Sequence, residues 1–138
     1  MRFVITATTE RSEPAEAPDD AIFAAYMQYN EEMAKAGVLI AAEGLNPDAP
    51  GARIGIVDGQ RTVLDGPYPE TKELLGGLYL IEVESLEEAI AWALRSPVGM
   101  GSDDVLDVRP LTRMSDLPPR LQQTIRDLAP TWGASWSQ

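Results

Sequence analysis

The sequence predicts an α+β domain in which an antiparallel sheet is covered by helices on one face. Three observations point there. Two helical stripes, near 21–36 and 85–95, each lie between strand-like runs rich in β-branched and aromatic residues. A two-residue turn signal, Asp58-Gly59, joins two short strands. With 138 residues of which 44% are apolar, the chain can bury one core and little more.

Taken in order, residues 2–8 (RFVITAT) form a first strand, and the polar, proline-containing stretch 9–20 is an exposed loop. From Ala21 the period changes. Ile22, Tyr26, Tyr29 and Met33 fall on one helical stripe, with Asp19 or Asp20 placed to cap it and Gly37 placed to end it. VLIAAEGL (38–45) is a strand, and 53–64 is the hairpin around Asp58-Gly59. Residues 65–77 are expected as a loop, and GLYLIEV (77–83) as the clearest strand. Ser85-Leu86-Glu87-Glu88 is a capping box that opens a second helix, expected to turn Leu86, Ile90, Ala93 and Leu94 inward and to stop before Pro97. DVLDVRPL (104–111) supplies a last core strand. A third helix, capped by Ser115 or Asp116, carries Leu117, Leu121, Ile125 and Leu128, and the final PTWGASWSQ is expected to fray. Without the hairpin and the last helix the order is β-α-β-β-α-β, the ferredoxin-like unit.

Charge and composition exclude whole classes of function. Eleven basic residues against 22 acidic ones leave a net −11. Such a chain lacks the Lys and Arg that displace counterions from DNA or RNA, so no nucleic-acid partner is expected, and no anionic membrane surface. The absence of Cys removes thiolate nucleophiles, disulfides and Cys-held metals; the absence of His removes the usual general base and most zinc chemistry. No window approaches the roughly 20 apolar residues of a membrane span, and the first residues do not read as a secretory signal, so the cytoplasm is the expected location. Neither G-x-G-x-x-G nor G-x-x-x-x-G-K-[ST] occurs, and no calcium loop of the D-x-D-x-D kind, so no cofactor and no metal are expected.

The sheet holds more apolar surface than one layer of helices can hide. Tyr79, Ile81 and Val83 occupy one face of their strand while Leu78 and Leu80 occupy the other; in 38–45, Val38, Ile40 and Ala42 alternate with Leu39, Ala41 and Leu45. A face left bare should be polar at every second residue. Each Leu-sized side chain left in water forgoes about 1.5–3 kcal/mol. The uncovered face must then meet a ligand, the third helix folded back as a lid, or a second copy, and a homodimer with sheets face to face is the expected solution.

One segment carries a resemblance. Residues 63–97 contain Asp65-Gly66-Pro67-Tyr68, Glu70-Thr71-Lys72-Glu73 and Gly76-Gly77-Leu78-Tyr79, supported by the AGVLIAAEGL strand (36–45), the VDGQRTVLDG hairpin and the DVLDVRPL ending. The sequence thereby resembles the YciI-like, DGPF-domain (YCII-related) family over roughly 1–111, leaving 112–138 as a C-terminal helical extension and tail. The resemblance implies a dimeric α/β barrel built from ferredoxin-like units. It also implies one of two roles: a small-molecule enzyme, in relatives often relying on a His–Asp pair, or a regulatory module, since many members are encoded beside alternative sigma factors. With no His here, only the Asp half of such a pair can carry over.

The candidate residues follow. Asp65 is the first choice for a catalytic acid or base, its competing role being to hydrogen-bond the amides of its own Gly-Pro turn. Glu43, a charge in an apolar strand, is either a second acid–base group or a strand-end carboxylate meeting solvent. Tyr68 and Tyr79 can stack on a ring and donate a hydroxyl, or serve as core or interface aromatics. Lys72 can hold an anionic substrate, or pair with Glu70 or Glu73 on the surface. Two functions are consistent with these residues: a dimeric enzyme acting on a small-molecule ligand by carboxylate chemistry, and a non-catalytic module whose acidic surface docks a protein partner.

Overall fold

Strand β1 (Arg2–Glu10) runs through the middle of the main sheet because Phe3 and Ile5 are buried on one side while both of its edges are hydrogen-bonded. The computed structural model describes residues 1–10, 19–46, 49–64, 73–98 and 104–136. Helix α1 (Asp20–Lys35) follows, with Asp19 as its cap: the Asp19 carboxylate accepts from the amide of Ala21 at 2.7 Å. Then come β2 (Leu39–Gly44), the hairpin β3 (Arg53–Val57) and β4 (Gln60–Leu64), β5 (Glu73–Glu82), α2 (Leu86–Leu94) and β6 (Val105–Pro110). A 3₁₀ turn at Met114–Asp116 leads to α3 (Pro119–Leu128) and α4 (Pro130–Ala134).

The main sheet is antiparallel in the order β2-β5-β1-β6, and β3 and β4 form a separate two-stranded sheet. With the hairpin set aside, β1-α1-β2-β5-α2-β6 in that strand order is the ferredoxin-like arrangement. Helices α1 and α2 cover one face. Between them and the sheet lie Phe3, Ile5, Tyr29, Met33, Val38, Tyr79, Ile81, Val83, Ala89 and Ala93. The Tyr29 hydroxyl donates to the carbonyl of Trp92 at 2.7 Å, and Arg95 pairs with Glu32 while its guanidinium sits 4.4 Å over the Trp92 ring centroid, so α2 is tied to α1 at its C-terminal end.

Several expectations change on this frame. In α2 the inward face is Ala89 and Ala93, whereas Leu86, Ile90 and Leu94 point away and Leu94 is 82% exposed. Two small residues let the helix lie close to the sheet, and the larger stripe is turned out. In β2 the strict alternation of 38–45 is broken by a bulge at Ile40: Leu39 pairs with Ile81 and Ala41 with Leu80, so Leu39 and Ala42 face the core and Ala41 faces the other way. Strand β5 starts at Glu73 rather than 77, since β1 continues to pair with it past a bulge that leaves Gly76 of β5 unpaired opposite Ala7/Thr8. Helix α3 begins at Pro119 with Pro118 as its cap residue; Asp116 instead caps the preceding turn, accepting from the Arg113 amide at 2.8 Å. The tail does not fray through its described length: it forms α4 with Gly133 buried, and Trp132 and Trp136 stack at 4.8 Å.

The hairpin expectation holds at its turn. Asp58 and Gly59 both have positive φ, 49° and 77°, as a type I′ turn requires.

Candidate functional site

The face of the sheet opposite α1 and α2 is a shallow apolar floor with charged margins, met at one end by α4 where Arg2 donates to the Ser135 carbonyl at 3.2 Å, and strand register says which residues form it. Cross-strand partners share a face. Ala41, Leu80, Val4 and Arg109 therefore make one row across the four strands; Glu43, Leu78, Thr6 and Asp107 make the next; Leu75, Thr8 and Val105 make a third. Leu78, Leu80, Val4 and Ala41 are half-buried by their neighbours, while Leu75 and Val105 are exposed. At four strands of about 4.8 Å spacing, Glu43 and Asp107 stand roughly 14 Å apart, too far to share a proton within one copy.

Glu43 sits at the margin because β2 is an edge strand held very close to β5. A Cβ placed on Gly77 would lie 2.7 Å from the Glu43 carbonyl oxygen and 3.3 Å from the Gly44 Cα, so only glycine allows this approach. The Leu45 amide then donates to the Gly76 carbonyl at 2.9 Å and continues the pairing. Glu43 itself is exposed on that floor.

Tyr79 lies on the opposite side of the sheet. It pairs with Ala42, is buried under α1 and meets Tyr29 edge to face, with ring centroids 5.5 Å apart. Burial pushes the phenols of Tyr79 and Tyr29 up to about 12; nearby Tyr26 and Tyr29 add to the effect at Tyr79, and Arg95 opposes it at Tyr29. Tyr26 is also raised, by burial and then by Asp104. Tyr29 and Tyr79 are core residues whose phenols stay protonated. Glu43 and Tyr79, expected to serve one site, face opposite sides of the sheet. Asp65, Tyr68 and Lys72 lie outside the described residues.

Two residues of the floor were not singled out from sequence: Asp107 and Arg109. The signal was present in DVLDVRPL, where Val105, Asp107 and Arg109 alternate with Leu106, Val108 and Pro110. The half-buried Leu106 and Val108 pack against the core, which turns the charged set to the open face.

Among the described residues no group of three or more acidic side chains is gathered as a metal would need, and no helix is long and apolar enough to cross a membrane. An open recess of about 290 Å³ in the C-terminal unit is lined by Met114, Arg126, Pro130, Gly133 and Ala134. Among its described lining residues the ionisable side chain is Arg126, which donates to Gln123 at 3.2 Å and offers no acid–base chemistry.

Comparison with known proteins places the chain. It is 39% identical over 77 residues to the uncharacterised protein R00369 of Rhizobium meliloti (strain 1021), a match that covers 56% of this chain and 62% of that protein. Among solved structures it is similar to the 5-chloro-2-hydroxyhydroquinone dehydrochlorinase TftG of Burkholderia phenoliruptrix AC1100, determined in complex with 2,5-dihydroxybenzoquinone. The TM-score is 0.42 at 16% identity, over 82% of this chain and 95% of that one. Residues 1–115 match the model of the YCII-related domain, and the chain belongs to that family.

Proposed function

We propose that two copies associate through the sheet faces opposite α1 and α2 and that the cavity between them handles a small polar or aromatic molecule by carboxylate acid–base chemistry. The observation that carries this reading is the floor itself: Val4, Ala41, Leu78 and Leu80 are apolar on a face that neither α1 nor α2 covers, and α3 packs chiefly on α4, whose end meets that face at its margin, where Arg2 donates to the Ser135 carbonyl at 3.2 Å. In such a cavity Glu43 and Asp107 stand at the margins of an apolar surface. Asp65, with Tyr68 and Lys72, is assigned to the same cavity from the 65–72 segment, Asp65 as the principal base and Glu43 as its assistant. Tyr79 is assigned no contact with substrate, because it lies on the helix side. Residues 112–138 act as an extension outside this catalytic unit.

The test uses catechol as a probe of a ring-bearing polar ligand, followed by isothermal titration. The wild-type chain is expected to bind it, and Glu43→Gln and Asp65→Asn to weaken binding at least tenfold without changing the oligomeric mass. Unchanged binding in both variants contradicts the carboxylate assignment. The regulatory reading would be favoured instead if charge reversals on the acidic surface abolished capture of a basic protein partner while both pocket variants behaved as wild type.

A further inference from the structure

Among the described residues, no element covers the β3–β4 hairpin. Ile54, Ile56 and Val63 share one face of it by register and are 59%, 63% and 60% exposed. The two strands pack on each other and make no more than marginal contact with any other described element. A two-stranded ribbon in water is barely stable by itself, and a contiguous apolar face on it marks an interaction surface. Its other face is partly self-satisfied: Leu64 folds over Gly55, where a Cβ would lie 3.0 Å from the Leu64 Cδ1.

Charge says what covers the apolar face. Arg61 pairs with Ile56 across the ribbon and so lies on that face, with no ion pair among the described residues. Residues 53–64 hold Arg53, Arg61 and Asp58, a net +1, so the other 126 residues carry −12 of the chain's −11. A basic, apolar arm on an acidic body is complementary to a second copy of that body. The open sheet face offers the matching chemistry: exposed Leu75 and Val105 at the end of the sheet from which the hairpin emerges, and the carboxylates of Glu43 and Asp107 one row in.

We infer that the hairpin is an exchanged arm: each copy lays Ile54, Ile56 and Val63 on the rim of the other's sheet and brings Arg61 to that copy's Glu43 or Asp107. This rests on the face-to-face association above and deepens it, because each cavity then takes its cation from the neighbouring chain. Arg61 becomes a positioning residue for an anionic or phenolate group bound there.

Because the chain has no cysteine, Arg61→Cys gives one attachment point for a benzophenone cross-linker. Light and ¹⁵N-labelled chains are mixed, irradiated and analysed by mass spectrometry. Cross-links joining light to heavy chains at 73–82 or 104–110 are expected. Ile56→Asp is expected to raise the dimer dissociation constant at least tenfold with circular dichroism unchanged, and Arg61→Glu to weaken the dimer in a way that Glu43→Arg or Asp107→Arg in the same chain restores. A dimer whose cross-links are only within one chain, or whose affinity ignores Ile56→Asp, overturns the arm while leaving the sheet-face association standing. A chain that stays monomeric at all concentrations overturns both.

Discussion

Replacing Gly77 by Ala probes the contact that fixes Glu43 in place. The added Cβ would meet the Glu43 carbonyl oxygen at 2.7 Å and the Gly44 Cα at 3.3 Å. Both are backbone atoms of β2, so no side chain can swing aside, and the edge strand must move off β5 by several tenths of an ångström. Overpacking of this kind costs about 1–3 kcal/mol, offset by about 0.4–1 kcal/mol from the lower entropy of the unfolded chain when Gly becomes Ala. A net loss of about 1–2 kcal/mol is expected. Gly76→Ala is the internal control: its Cβ meets only the Ala7 carbonyl oxygen at 3.7 Å, an ordinary contact, and φ there is not in the left-handed region. That variant should lie within about 0.5 kcal/mol of wild type or be slightly more stable. Urea titration followed by circular dichroism gives both values, and amide exchange at Leu45, bonded to the Gly76 carbonyl, reports β2 locally. Equal effects of the two substitutions, or a stable Gly77→Ala with unchanged Leu45 exchange, would refute the close-approach argument.

Three further outcomes are expected. In an alkaline titration followed at 295 nm, Tyr29 and Tyr79 should ionise only near pH 12, well after an ordinary phenol. Their raised values mean the folded chain holds protons that the unfolded chain has lost, so stability is full below about pH 10 and falls as pH rises towards 12; ordinary ionisation of all tyrosines without unfolding would contradict the buried pair. Leu94→Ser should leave stability within about 0.5 kcal/mol, while Ala89→Leu should cost about 1–3 kcal/mol, as read by denaturant midpoints; the reverse ranking would place the inward face of α2 elsewhere. Ser85→Ala should cost about 1 kcal/mol through loss of the bond its hydroxyl accepts from the Glu88 amide at 3.1 Å, and an unchanged thermal midpoint would deny that cap its role.

Much of this architecture was legible because local chemistry and global fold agree. Asp58-Gly59 demands positive φ whatever surrounds it, and Asp19 and Ser85 cap their helices through atoms two or three residues away. What failed was decided at longer range. Two stripes on α2 are compatible with its period, and only the sheet's proximity selects Ala89 and Ala93 over Leu86, Ile90 and Leu94. The bulge at Ile40 exists only in the pairing of β2 with β5, so alternation counted along 38–45 assigns Ala42 and Leu39 to opposite faces when they share one. Glu43 and Tyr79 look like neighbours in a shared site until the register pairs one with Leu78 and the other with Ala42. Asp107 and Arg109 were overlooked for the opposite reason: their alternation was plain, but its meaning depends on which side the helices occupy.

The account stands on the apolar sheet face being covered by another copy. Sedimentation equilibrium of the wild-type chain beside Leu80→Glu, which places a charge in the centre of that face, tests it most directly. The account predicts twice the 15.0 kDa chain mass for wild type and the single-chain mass, with native circular dichroism, for the variant. A wild-type chain sedimenting at 15.0 kDa, or a Leu80→Glu chain still at double mass, would contradict it.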